Sequence, residues 1–154
     1  MNWVEYYINI ARAVALKSKD PSTKVGTVIV DKENRVVSQG FNGFVAGCDE
    51  SLMTYEKPMK YLTIIHSEMN AILFARRDLA GCKIYTTHFP CENCAKHIIQ
   101  AGIREIYYED LGIFHRANEV SKHAVQRIIE AVPGMKVENV MGISFVEDLC
   151  KKSL

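Results

Sequence analysis

Two short stretches hold side chains whose types and spacing suit metal-assisted hydrolysis. They are His66-Ser67-Glu68 and Pro90-Cys91-Glu92-Asn93-Cys94. Zinc takes imidazole and thiolate ligands, and a catalytic zinc keeps one of its four positions open for water. His66, Cys91 and Cys94 supply three ligands, and Glu68 is left for proton transfer. Cys91 and Cys94 stand three apart at a helix start, where i and i+3 share a face. The positive end of that helix favours thiolate over thiol. A bound zinc would lower the pKa of water towards ~7 and so make a nucleophile at neutral pH.

Blander readings compete with this one. A C-x-x-C alone is more often structural zinc or a redox pair, and a lone histidine is more often a satisfied polar residue. A structural zinc needs four protein ligands. The fourth would come from Cys48, Cys82, His88, His97 or Cys150, and none has clear ligand spacing to the pair. Both motifs in order, each before a helix, favour the catalytic reading. Glu92 reads as a solvated carboxylate, His88 as a pocket or strand-end residue, and His97, His115 and His123 as surface residues. Cys48, Cys82 and Cys150 read as small apolar or surface thiols. Arg76-Arg77 fits a helix-end dipole partner, a solvated face or a phosphate contact.

The elements that must position these groups follow from local pattern. Residues 3–17 have helical spacing, with Ile8, Ala11, Ala15 and Leu16 on one side. Pro21 ends that segment. Residues 25–30 form a β-branched run typical of a buried strand. A polar turn leads to a second strand over 35–41, so an antiparallel hairpin is expected. Asn42, Gly43 and Gly47 open a loop reaching about Thr63, which is either functional or a solvated insertion. A helix is expected over 66–77 and a strand over 83–87. The next helix carries Pro90 in its first turn and runs to 101. Strand 105–108, a loop through Gly112, helix 118–131, strand 136–140 and a short helix over 145–151 complete the chain. Repeated helix–strand units imply parallel neighbours among the later strands. The expected fold is a single three-layer α/β/α domain over residues 1–154, with a mixed five-stranded sheet.

Bulk properties remove several function classes. The 154 residues are 48% hydrophobic and 24% charged, as in an ordinary globular domain. A formal net charge of +1 gives no bulk case for nucleic-acid or membrane binding. Five cysteines with one C-x-x-C pair read as a metal or thiol site rather than a disulfide framework. Neither a signal peptide nor a run of ~20 apolar residues is visible. The expected location is the cytoplasm.

The H-x-E and P-C-x-x-C elements together match the signature of zinc nucleobase deaminases. Beyond them, the chain resembles the deoxycytidylate deaminase branch of the zinc cytidine deaminase superfamily. The resemblance runs through residues 18–26 (S-K-D-P-S-T-K-V-G), 40–43 (G-F-N-G), 66–72, 89–96 and 100–103. It implies the cytidine deaminase-like fold, zinc on His66, Cys91 and Cys94, and Glu68 as proton shuttle. It implies a nucleotide substrate, dCMP, hydrolysed to dUMP and ammonia for thymidylate synthesis. Asn42 would bond the deoxyribose or base, and Lys24 would help hold the phosphate. Many relatives are hexamers activated by dCTP and inhibited by dTTP, so a homo-oligomer is expected, with Mg2+ accompanying any allosteric triphosphate. Two departures stand out. Ser67 occupies a position usually held by alanine, and residues 42–65 offer only Cys48 towards a second, structural zinc. Alternative readings are a dCMP/dCTP deaminase, a tRNA adenosine deaminase and a non-catalytic zinc-binding regulator. The low net charge and the lack of a basic C-terminal helix argue against an RNA partner, and an intact Glu68 argues against a silent regulator.

Overall fold

The computed structural model describes residues 1–109 and 119–144. The expected helix over 145–151, the loop through Gly112, Asn118, His115 and Cys150 lie outside the described residues. The described helices are α1 (Trp3–Ala15), α2 (Met59–Thr63), α3 (Ser67–Ala75), α4 (Glu92–Gln100) and α5 (Glu119–Ala131). The strands are β1 (Gly26–Val30), β2 (Val36–Phe41), β3 (Lys83–Thr86), β4 (Glu105–Tyr108) and β5 (Lys136–Asn139).

These strands form one five-stranded sheet in the order β2-β1-β3-β4-β5. β1 runs antiparallel to both β2 and β3, whereas β3, β4 and β5 are mutually parallel. The mixed sheet expected from the hairpin and the helix–strand units is therefore observed. Successive strand residues point to opposite faces, so β1 serves two cores. Val28 and Val30 pack with Tyr7, Ile8, Ala11 and Val14 of α1, while Ile29 packs with Ala71 of α3 and Ile98 of α4. On the α1 face, Tyr7, Tyr85 and Tyr107 form a column with ring centroids 4.9 and 4.7 Å apart. Buried Glu109 accepts hydrogen bonds from Arg12, which also donates to the carbonyls of Ile143 and Ser144.

Two glycines bring the helices against the sheet backbone. A Cβ at Gly26 would collide with the Ala11 carbonyl oxygen and the Ala15 nitrogen of α1. One at Gly40 would collide with the Ser67 oxygen and the Ala71 nitrogen of α3. In the β1–β2 register Gly26 pairs with Phe41 and Thr27 with Gly40. Neighbouring rungs thus admit one helix from each side.

Several boundaries differ from the sequence expectation. α1 begins with a reciprocal cap, in which Glu5 N donates to Asn2 Oδ1 at 2.9 Å and Asn2 N donates to Glu5 Oε2 at 2.8 Å. It stops at Ala15, because the next amides turn back to carbonyls three residues earlier. α3 ends at Ala75, because Arg76 adopts a left-handed conformation at φ 50°. Pro90 lies outside α4, and Cys91 takes the capping position instead. The 42–63 loop contains a 3-10 turn at Glu50–Leu52 and the short α2.

Candidate active site

The N-termini of α3 and α4 converge at one end of the sheet. His66 caps α3 and Cys91 caps α4, so each helix presents its positive end to the same space. The Cys91 sulfur accepts the Cys94 amide at 3.5 Å, which orients the first thiol and fills a capping role. His66 Nδ1 lies 3.5 Å from Cys91 Sγ and 3.4 Å from Cys94 Sγ. The three donor atoms all lie within 4.8 Å of one another, close enough to hold one metal ion. One nitrogen and two sulfurs fit zinc, and three protein donors leave its fourth position open.

Glu68 occupies the first turn of α3 and is 4% exposed. Burial raises its carboxyl pKa, against the opposing pull of His66. A hydrogen bond with Cys94 lowers the Cys91 thiol to about 4, assisted by His66. The hydrogen bond to Cys91 raises His66 to about 9. Contact with Cys91, then burial, raises Cys94.

A cavity of about 600 Å3 opens above this cluster. Its wall includes His66, Glu68, Asn42, His88, Glu92 and Lys60. Asn42 is buried and engaged within the protein: Oδ1 accepts from Val25 N at 2.8 Å, and Nδ2 donates to Thr23 O at 2.9 Å. Lys24 is not among the lining residues; its Nζ donates to Ser18 O at 2.6 Å. Its neighbours Thr23 and Val25 do line the cavity. Glu92 accepts a hydrogen bond from Ser121 of α5 rather than standing free in solvent. His97 bonds the Asn93 carbonyl on the outer face of α4, and His123 is exposed on α5. Cys82 is buried in the α3/α4 core, and Cys48 lies in the loop after β2.

Sequence reasoning missed Lys60, the buried cation of the cavity wall. Its Nζ lies 2.7 Å from Asp20 Oδ2 and 2.7 Å from Ser22 Oγ, with Asp20 fully buried. Burial pushes the Asp20 carboxyl up, but Lys60 and the Ser22 and Thr23 amides together hold it below its ordinary value. Forty residues separate this pair, and no spacing rule joins them. Also missed were the threonine hydroxyls that meet Ser67. Ser67 Oγ donates to Glu68 Oε2 at 3.0 Å and lies 2.8 Å from Thr27 Oγ1, which lies 3.2 Å from Thr86 Oγ1. Threonines at two strand positions were the available signal.

Comparison with known proteins points the same way. Residues 1–110 match the family described as the cytidine and deoxycytidylate deaminase zinc-binding region. The chain is 54% identical over 105 residues to an uncharacterized deaminase in the luxG 3′ region of Aliivibrio fischeri, covering 68% of this chain and 71% of that protein. It is 41% identical over 115 residues to mouse deoxycytidylate deaminase, covering 70% of this chain. The alignment spans 65% of the mouse protein's length. The crystal structure of dCMP deaminase from cyanophage S-TIM5 with dCMP and dUMP superposes with a TM-score of 0.65 at 25% identity, covering 88% of this chain and 95% of that one.

Proposed function

The chain belongs to the cytidine and deoxycytidylate deaminase family, and from that membership we propose that it hydrolyses dCMP to dUMP and ammonia, supplying thymidylate synthesis. The observation that carries this reading is the convergence of His66 Nδ1, Cys91 Sγ and Cys94 Sγ beside buried Glu68 at a cavity wall. A volume of about 600 Å3 lies within the ~300–1,000 Å3 typical of small-molecule sites.

His66, Cys91 and Cys94 hold zinc, which when bound supplies Lewis acidity and lowers the pKa of water. Glu68 takes a proton from the attacking water and delivers it to ring N3; it then takes the second proton from the hydroxyl added at C4 and passes it to the amine, which leaves as ammonia when the C4–N bond breaks. Burial suits Glu68 to this cycle, because a raised carboxyl pKa lets it hold as well as release a proton. Asn42 and Lys24 bind the nucleotide. Asn42 lines the cavity, and Lys24 sits in the loop whose Thr23 and Val25 line it. Both exchange internal partners for the substrate, Lys24 leaving the Ser18 carbonyl for the phosphate. Lys60 is neutralised by Asp20 and so adds little net charge towards an anion.

The protein acts as a homo-oligomer, a hexamer, with dCTP as activator, dTTP as inhibitor and Mg2+ accompanying the triphosphate. Exposed Leu73 and Phe74 on α3, and Val36 and Phe41 on β2, supply apolar surface for assembly. No described helix is long and apolar enough to cross a membrane, and the metal-ready thiols suit the reducing cytoplasm.

Ammonia release from the zinc-loaded protein tests the substrate. Turnover is expected with dCMP, and none with cytidine or an adenosine-bearing tRNA stem-loop. A preference for the stem-loop would overturn the reading, and turnover of dCTP would widen it. Hyperbolic dCMP saturation unmoved by dCTP and dTTP would remove the allosteric part.

A further inference from the structure

We propose that Ser67 is a positioning residue, holding the Glu68 carboxylate in its working orientation through a chain of buried hydroxyls. This rests on the deaminase reading of the site. Ser67, Thr27 and Thr86 are each 0% exposed. Their oxygens form a line ending on one carboxylate oxygen, from Thr86 Oγ1 through Thr27 Oγ1 and Ser67 Oγ to Glu68 Oε2. Thr27 and Thr86 are partners in the β1–β3 ladder, and Gly40 is Thr27's partner on the other side. The missing side chain at Gly40 lets the first turn of α3 rest on the sheet, which brings Ser67 within reach of Thr27.

Three adjacent buried hydroxyls, two on the sheet face and one on α3, need partners, because each loses its hydration on folding. Two rungs away the same face carries Ile29 and Ile84, which pack with Ala71 and Ile98. The polar rung therefore sits only at the end of the face that meets Glu68. The tether engages Oε2, one of the two carboxylate oxygens. It also removes rotational freedom from a side chain that must meet both the attacking water and the leaving amine. A hydroxyl suits this task in either charge state of Glu68: it donates to the carboxylate and accepts from the acid. The tether is local, because Ser67 directly precedes Glu68 on the same helix turn.

The test compares wild type with Ser67→Ala, Thr27→Val and the double variant, all zinc-loaded. For Ser67→Ala, kcat on dCMP is expected to fall about tenfold, the size of one hydrogen bond to a charged group. KM and zinc content should hold, and a crystal structure should show Glu68 in more than one rotamer. Thr27→Val alone should lower kcat less, and on the Ser67→Ala background it should lower kcat no further, since the chain is already cut. Any of several results would overturn the proposal: unchanged kcat, a single unchanged Glu68 rotamer, a loss shared by KM and zinc content, or additive effects. If the wild type deaminates no nucleotide, the functional reading fails by itself, and the Glu68 rotamer in Ser67→Ala still decides the positioning role.

Discussion

The two faces of the sheet are built from the same strands but for different work. Apart from the buried Arg12–Glu109 pair, the α1 face is apolar: Ile8, Ala11, Val14, Val28 and Val30 surround the Tyr7–Tyr85–Tyr107 column. The α3/α4 face is divided. Its middle holds Ile29, Ile84, Ile98 and Ile106, while the end under the helix N-termini holds Thr27, Thr86, Ser67 and Glu68. Burial is equal on both faces, so burial alone does not separate a core from a site. The sign of the site is a run of buried hydroxyls that ends on a carboxylate beside the His66, Cys91 and Cys94 donor atoms.

This contrast predicts that damage on one face appears in stability and damage at the polar end of the other appears in rate. The largest effect is expected from Glu68→Ala, which should lower kcat by about 10²–10⁴-fold, the range of general acid–base catalysis. Its zinc content, by metal analysis, and its melting temperature should stay near wild type. Retained turnover would remove Glu68 from the chemistry. On the opposite face, Ile8→Ala empties part of a fully buried core and should cost about 2–5 kcal/mol in urea unfolding. Its kcat and KM, measured where it is folded, should match wild type; a selective loss of kcat would erase the division between the faces.

A smaller effect comes from pH. Asp20 is held below its ordinary value of 3.8, so it stabilises the fold fully above that pH. The contribution is lost as pH falls from about 3.8 through the lower folded-state value. Asp20→Asn should flatten this acid limb in chemical denaturation, and an unchanged limb would mean that Lys60 does not hold the carboxylate. Smallest of all, Tyr7→Phe removes the hydroxyl that donates to Asn34 O at 2.6 Å, and should cost about 1 kcal/mol with no kinetic change.

Much of this division was legible in the chain because short spacing carries it. Cys91 and Cys94 are three apart, so local helix geometry relates them, and His66 stands just before the helix whose first turn carries Glu68. The first strand showed itself by a β-branched run, and parallel pairing of the later strands followed from the helices between them. What could not be read depends on contacts distant in sequence. Lys60 meets Asp20 across forty residues, and Thr27 meets Ser67 across another forty. Ser67 was visible as an unusual neighbour of Glu68, but its partner required the sheet register. Pro90 shows a local failure: it suited a first helical turn, yet the Cys91 sulfur took the cap and pushed the proline outside.

The paired close approaches at Gly26 and Gly40 bear on how the protein can be altered. Where side chains separate a helix from a sheet, repacking the core changes the spacing and lets the helix drift. Here α1 and α3 rest on bare backbone at adjacent rungs, from opposite sides. That spot behaves as a hard stop, with no compressible layer between the strands and the start of α3. Core residues farther along either helix can therefore be exchanged, in evolution or by engineering, with the height of Glu68 above the sheet kept in calibration.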